Sequence, residues 1–191
     1  MMRTMISLMP GTRKFAVLAS SLLLGLAGTV AIPSTAHATP IDVTCLTGNR
    51  NTHYTPPLTN TSQTHQLDIS ENFSCISLLG GISSASGTST RTVTTSCLLS
   101  VQTPLTLPAR TITYHWNTGA SSTVTYPAVT AARAADGTVT ITSVGAVTAG
   151  LGIGQTATQT TVEPNLNLTA CSTTGLSDTN SILNTLLIAP L

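Results

Sequence analysis

Charged side chains are scarce in this chain of 191 residues, since Asp, Glu, Lys and Arg together make up only 7% of it. Its single lysine, Lys14, lies near the N-terminus, and beyond residue 38 four arginines face six acids, for a formal net charge of −2. Proteins that bind nucleic acid or anionic lipid usually carry a basic patch. The composition therefore excludes nucleic acid as an expected partner and provides no basic footprint for a membrane surface.

Aromatic residues are also rare, with one Trp, three Tyr and two Phe in the whole chain. A glycosidase cleft needs two facing carboxylates and is usually lined with rings that stack on sugars. Asp68 and Glu71 are three positions apart, so they point to opposite faces of a strand. A hydrolase is therefore a minor alternative.

Sequence motifs for nucleophilic, metal and phosphate chemistry are missing as well. The chain has no G-x-S-x-G or S-x-x-K motif, no H-x-H or H-E-x-x-H spacing, and no glycine-rich phosphate loop. The three histidines after residue 38, His53, His65 and His115, lie on separate segments. We therefore predict a protein that is not an enzyme, with no catalytic residues, no metal and no cofactor.

The N-terminal segment has the pattern of an export signal. Arg13 and Lys14 precede an apolar run from Phe15 to Ala31, and Ala36-His37-Ala38 supplies small residues at a cleavage site. This predicts a signal peptide over residues 1–38 and a secreted, extracellular mature protein, with no membrane attachment after cleavage. The mature part, residues 39–191, is 153 residues long, which suits a single domain.

Four cysteines follow the predicted signal: Cys45, Cys75, Cys97 and Cys171. An even number of cysteines in an exported chain predicts two disulfides, for which three pairings exist. A non-interleaved pairing, Cys45 with Cys75 and Cys97 with Cys171, is the favoured one, although spacing alone does not decide it.

Threonine makes up about a fifth of the mature chain and alternates with Val, Ile and Leu. Such alternation of β-branched residues predicts strands with one buried face. Eight or nine short strands separated by turns favour an all-β fold, and we expect an antiparallel β-sandwich, Ig-like or related. The segment 182–188 fits either a last strand or a short helix, and Val93 to Val101 is expected to be a strand.

The segment from Arg110 to Pro127 is the clearest hairpin, because two alternating arms flank an Asn-Thr-Gly turn. Ile112 and Tyr114 share a face with the only Trp, which predicts that this face belongs to the core. His115 and the turn are left facing solvent. Candidate binding residues are the aromatic and polar side chains Tyr54, His115, Trp116 and Asn117.

Several short motifs resemble those of small secreted actinobacterial proteins that are Thr-rich and have four cysteines: DVTCLTG, PLTNTSQ, TTSCLLS, HWNTG and NLNLTAC. This resemblance implies an exported β-protein and no assigned activity. Neocarzinostatin-like apoproteins, which are secreted four-Cys sandwiches that bind a chromophore, are a second comparison. They close short disulfide loops, whereas consecutive cysteines here lie 30, 22 and 74 positions apart.

We therefore expect a secreted, non-catalytic protein with an extracellular binding role or a cell-surface or structural role. Its partner is an unknown extracellular ligand or another copy of the chain, because exposed strand edges readily pair. A carbohydrate-binding module or a small-ligand carrier is the alternative.

Overall fold

The computed structural model describes residues 41–78, 81–98 and 105–190. The predicted signal peptide, residues 1–38, lies outside the described residues. The strand expected over Val93 to Val101 ends at Thr95 and is followed by a turn at residues 97–98, and its part beyond Leu98 lies outside the described residues.

Ten strands and one short helix make up the described part, which is therefore all-β as expected. The strands are β1 Val43–Leu58, β2 Gln63–Ser77, β3 Ser84–Thr95, β4 Leu105–Leu107, β5 Arg110–Trp116, β6 Ser121–Arg133, β7 Val139–Gly150, β8 Thr156–Glu163, β9 Leu176–Asn180 and β10 Leu183–Ala189. The helix α1 spans Leu168–Ser172. No helix in this part of the chain is long and apolar enough to cross a membrane.

Eight of these strands close into an antiparallel barrel in the order β1-β2-β3-β5-β6-β7-β8-β10. Closure occurs because β1 pairs with β2 along most of its length and with β10 at its start, where Val43 lies opposite Ile188. The expected sandwich is therefore corrected to a barrel. The alternating pattern predicts a half-buried strand in either architecture, and only the β1–β10 pairing distinguishes the two.

The remaining elements lie outside the ring of eight strands. β4 pairs with β6, and β9 pairs with β1. The segment 182–188, for which the sequence allowed a strand or a helix, is a strand: β10 pairs with β8 from Leu183 to Ala189. β3 begins at Ser84, in a stretch rich in Gly and Ser.

Both disulfides are present, with the expected non-interleaved pairing of Cys45 with Cys75 and Cys97 with Cys171. The first links β1 to β2 near the end of the barrel that holds Val43 and Ile188. The second ties α1 to the residues after β3, where Cys97 and Cys171 pack with Leu58 at the opposite end of β1.

Strand alternation explains both surfaces of the barrel. The hairpin of β5 and β6 buries Ile112, Tyr114 and Trp116 as expected, and leaves His115 exposed. Outward-facing threonines pair across neighbouring strands through their hydroxyls, as Thr113 and Thr123 do at 2.9 Å. Such pairs stabilise a sheet without charge, which accounts for a threonine-rich chain with few charges.

Candidate functional site

A cavity of about 370 Å³ lies inside the barrel at the end that contains Leu58. The opposite half of the interior, around Phe73 and Trp116, is filled by packed side chains. An eight-stranded barrel is just wide enough either to be filled by its side chains or to hold one small ligand. The cavity wall is mostly apolar and is formed by Leu58, Leu67, Val93, Leu107, Ala131, Val139, Ile141, Pro164 and Leu166.

The pleat of the strands directs these side chains inward. On β1, the cavity residues Arg50, Thr52 and Tyr54 share one parity, as the two faces of a strand require. On β7, Val139 and Ile141 do the same. The cavity is therefore a continuation of the inward face of the barrel wall.

All four arginines that follow the predicted signal lie in or beside the barrel interior. Arg50, Arg91 and Arg133 line the cavity, and Arg110 is buried next to it. Because residues 41–190 contain no lysine, every Lys or Arg cation of the described chain is located here. Arginine is rarely buried without a partner, so this concentration requires an explanation.

Two of these arginines bind a buried carboxylate, Glu71, which is 1% exposed. Arg110 Nη1 donates to Glu71 Oε1 at 2.9 Å, and Arg50 Nε lies 3.7 Å from the same oxygen. Tyr114 donates its hydroxyl to Glu71 Oε2 at 3.2 Å. Burial by itself would raise the pKa of Glu71, but the charges of Arg110 and Arg50 outweigh it and hold that pKa below its ordinary value.

The polar network continues from Arg110 across the barrel. Its Nη2 donates to Gln159 Oε1, and its guanidinium carbon lies 5.1 Å from the ring centre of Tyr126, a cation–π geometry. Gln159 in turn donates to Asn184 Oδ1 at 3.0 Å, linking β8 to the closing strand β10. Burial raises the pKa of Tyr126 to about 12, so this hydroxyl stays protonated at neutral pH.

Two buried atoms of Arg91, Nε and Nη1, have no hydrogen-bond partner among the described residues, whereas Arg50 and Arg110 each leave only Nε without one. Burial, together with the nearby charges of Arg50 and Arg110, lowers the pKa of Arg91 to about 10. Arg91 is still a cation at neutral pH. The charge of Glu163, another cavity residue, opposes this shift.

The four candidate binding residues fall into two separate places. Tyr54 lines the cavity, whereas His115, Trp116 and Asn117 line a shallow groove with Phe73. Trp116 is 3% exposed and donates its indole N–H to Ser122 Oγ at 2.9 Å, so its ring faces are not free to stack on a sugar.

Asn117 has a structural role at the hairpin turn. Its Oδ1 accepts from the backbone N–H of Ser83 at 2.8 Å, and its Nδ2 donates to the carbonyl of Gly81 at 3.1 Å. These bonds hold the turn against the segment that leads into β3. His115 is exposed on the outer face of β5 beside Asn117.

Histidines and carboxylates meet at one exposed place, where His53 Nδ1 lies 2.8 Å from Asp178 Oδ1 across β1 and β9. A catalytic triad would also need a nucleophile bonded to the other ring nitrogen. Among the described residues, His53 Nε2 has no hydroxyl partner. No group of three or more His, Cys, Asp or Glu within the described ranges is arranged to hold a metal ion.

The most prominent residues of the interior, Glu71, Arg91 and Arg110, were not candidates from the sequence. A signal was present, because Glu71 has the same strand parity as His65, Leu67, Ile69 and Phe73. Arg110 likewise shares the parity of the buried residues of β5. A charge at an inward position of an alternating strand is the pattern that identifies such residues.

Comparison of the chain with protein-family models, with curated proteins and with solved structures finds no match. The site must therefore be interpreted from its own geometry.

Proposed function

We propose that this protein is a non-catalytic extracellular binding protein that holds one small, largely apolar molecule inside its barrel. The cavity of about 370 Å³ is the observation that carries the proposal. Small-molecule sites are typically concave, mostly apolar and fitted with a few polar groups, and they range from about 300 to 1,000 Å³. Here the polar groups are contributed by Tyr54, Glu163 and the arginines.

Two other features support this role. The network around Glu71 and Arg110 fills the interior beside the cavity, so that the wall is held by buried hydrogen bonds and does not depend on a ligand for its shape. The two disulfides are compatible with an oxidising, extracellular compartment.

A carbohydrate-binding surface and self-association have less support. A sugar platform built on Trp116 would need an exposed ring, and this ring is buried. Association through strand edges would need a long unpaired edge. Closure gives each of the eight barrel strands a neighbour on both sides over at least part of its length, and the described strands with a single partner, β4 and β9, are short.

The test is titration of the protein with N-phenyl-1-naphthylamine, an uncharged apolar dye that fluoresces when it leaves water. We expect saturable binding of one dye molecule per chain. Ala131→Trp places a large ring in the cavity and should weaken dye binding by about tenfold or more. A tenfold loss corresponds to about 1.4 kcal/mol of binding free energy. Ala132→Trp makes the same substitution at the adjacent, outward-facing position of β6 and should bind within about twofold of the natural chain.

Thermal unfolding monitored by circular dichroism verifies that both variants fold. If Ala131→Trp does not fold, Val139→Phe repeats the test on β7, with the exposed neighbour Thr140→Phe as its control. Absence of saturable dye binding, or equal binding by the inward and outward variants, would rule out the cavity as a binding site.

A further inference from the structure

Arg91 lies at the cavity with its hydrogen-bonding capacity unused. It lies on β3 opposite Leu67, and its buried Nε and Nη1 have no partner in the described residues. The other arginines of the site have partners: Arg110 binds Glu71 and Gln159, Arg50 faces Glu71 at 3.7 Å, and Arg133 Nη1 donates to the carbonyl of Gly137 at 2.7 Å. Arg50 and Arg110 each leave one buried atom, Nε, without a hydrogen bond, whereas Arg91 leaves two. Buried donors in folded proteins are nearly always satisfied, so the exception at Arg91 points to a missing acceptor.

The charges around Arg91 favour an anion as that acceptor. Arg50 and Arg110 are close enough to repel its charge, while Glu163 attracts it. The one fully buried carboxylate, Glu71, is already shared by Arg110 and Arg50. Four arginines and two carboxylates at the cavity and its floor leave an excess of positive charge facing the apolar space.

We propose that the molecule held in the cavity is an amphipathic acid whose carboxylate binds the guanidinium of Arg91 while its apolar body lies along the cavity wall. A guanidinium presents paired N–H donors in a plane, which matches the two oxygens of a carboxylate. Arg91 lies near the buried pair of Arg50 and Arg110, so the carboxylate is directed inward and the apolar chain towards Leu107, Pro108 and Leu166.

This inference rests on the proposed function, because it specifies the ligand class of the same cavity. The experiment uses the full chain produced in an exporting host, so that its disulfides form. Decanoate and decan-1-ol, which have the same chain length and differ in their head group, each compete with the uncharged dye. We expect decanoate to bind at least about tenfold more tightly than decan-1-ol, and this preference to shrink as sodium chloride is raised.

Arg91→Met keeps a long apolar side chain and removes the charge. We expect this variant to bind decanoate about tenfold more weakly, to bind decan-1-ol and the dye within about twofold of the natural chain, and so to lose the preference. Arg133→Met is the comparison variant, because it removes an equal charge from a cavity arginine that is already bonded to Gly137 and Asn165. It should lower the preference for decanoate by less than Arg91→Met does.

The outcomes separate the two proposals. If the dye and both ligands bind, but decanoate has no advantage in the natural chain or keeps it in Arg91→Met, the acid-binding role is wrong and the apolar cavity stands. If Arg133→Met loses the preference as fully as Arg91→Met, the charge of the cavity as a whole is responsible and the assignment to Arg91 is wrong. If neither the dye nor either ligand binds, both proposals fail.

Discussion

Glu71 holds a charge in the interior of the barrel because two hydrogen-bond donors and a second cation surround it. Arg110 and Tyr114 bond to its two oxygens, and Arg50 adds a second positive charge at 3.7 Å. Removing a carboxylate from water costs several kcal/mol, which only excellent geometry and further hydrogen bonds offset. A charged residue at an inward position of a strand, such as Glu71, is thus stable only where β1 and β5 supply its partners.

Replacing this carboxylate by its neutral isostere tests the arrangement. Glu71→Gln leaves two buried arginines without their anion, and removal of one partner of a buried ion pair typically costs about 3–5 kcal/mol. We expect a fall of that size in the free energy of unfolding at pH 7, measured by urea denaturation. Asp68→Gln changes an acid on the outer side of the same strand and should cost less than about 1 kcal/mol; equal losses for the two variants would contradict the network.

The pH dependence of stability follows from the direction of the Glu71 pKa. The pKa is lowered in the folded state, so the stabilising contribution of the carboxylate is fully present above its ordinary value of 4.5 and is lost as the pH falls through the lowered folded value. We therefore expect the natural chain to lose stability on acidification below about pH 4.5, and the Glu71→Gln variant to lose much less over the same range. Urea denaturation from pH 2 to pH 7 measures both slopes.

At the level of elements, β7 depends on a glycine at a point where its backbone lies against the backbone of β6. A register irregularity occurs between Thr125 and Ala128, which lie opposite Ala146 and Val144. A Cβ placed on Gly145, between those two, would lie 2.1 Å from the backbone carbonyl oxygen of Thr125. The absence of a side chain at Gly145 therefore allows β7 to continue through the bulge.

Gly145→Ala should therefore force the two strands apart and lower the free energy of unfolding by about 3 kcal/mol, at the upper end of the range for overpacking. Gly119→Ala at the hairpin turn is the control. A Cβ added at Gly119 would meet no atom within 4 Å. Because φ is +82° at this position, the alanine would cost only the strain of the left-handed conformation, about 1 kcal/mol. Denaturant unfolding compares the free energies of unfolding of the two variants. If Gly145→Ala loses no more stability than Gly119→Ala, β7 moves away from β6 at little cost and the prediction is wrong.

For the whole molecule, the two disulfides have different positions relative to the cavity. Cys97 and Cys171 pack against Leu58, which is part of the cavity wall. Cys45 and Cys75 belong to the filled half of the barrel. Each disulfide closes a loop, over sequence separations of 30 and 74 residues, and in the chain-entropy model each contributes about 4 kcal/mol to stability.

We therefore expect the double variants Cys97→Ala/Cys171→Ala and Cys45→Ala/Cys75→Ala to lose similar amounts of stability, about 4 kcal/mol, but to differ in binding. The first should weaken binding of the uncharged dye several-fold, because the cavity wall at Leu58 loses its support. The second should bind within about twofold of the natural chain under conditions where it is folded. Equal effects on dye binding would contradict the assigned position of the cavity.

The sequence by itself determined the properties that depend on near neighbours in the chain. Alternation of threonine with Val, Ile and Leu predicts strands with two chemically distinct faces, and the hairpin at residues 110–127 and the burial of Tyr114 and Trp116 followed from it. An even set of cysteines in a chain with an export-type start predicted two disulfides. These are local patterns, and the pleat of a strand converts them directly into inward and outward positions.

Only the tertiary structure decided that the sheet closes and what its interior contains. Closure depends on three residue pairs between β1 and β10, which lie more than 130 positions apart, and no local pattern specifies such a contact. Pairing of β1 with β2 places Arg50 opposite Glu71, and closure brings Arg110 of β5 against Gln159 of β8 across the interior. Their parity marked them as inward-facing, but their common location required the barrel, because a charge is stable inside a protein only where distant parts of the chain supply its partners.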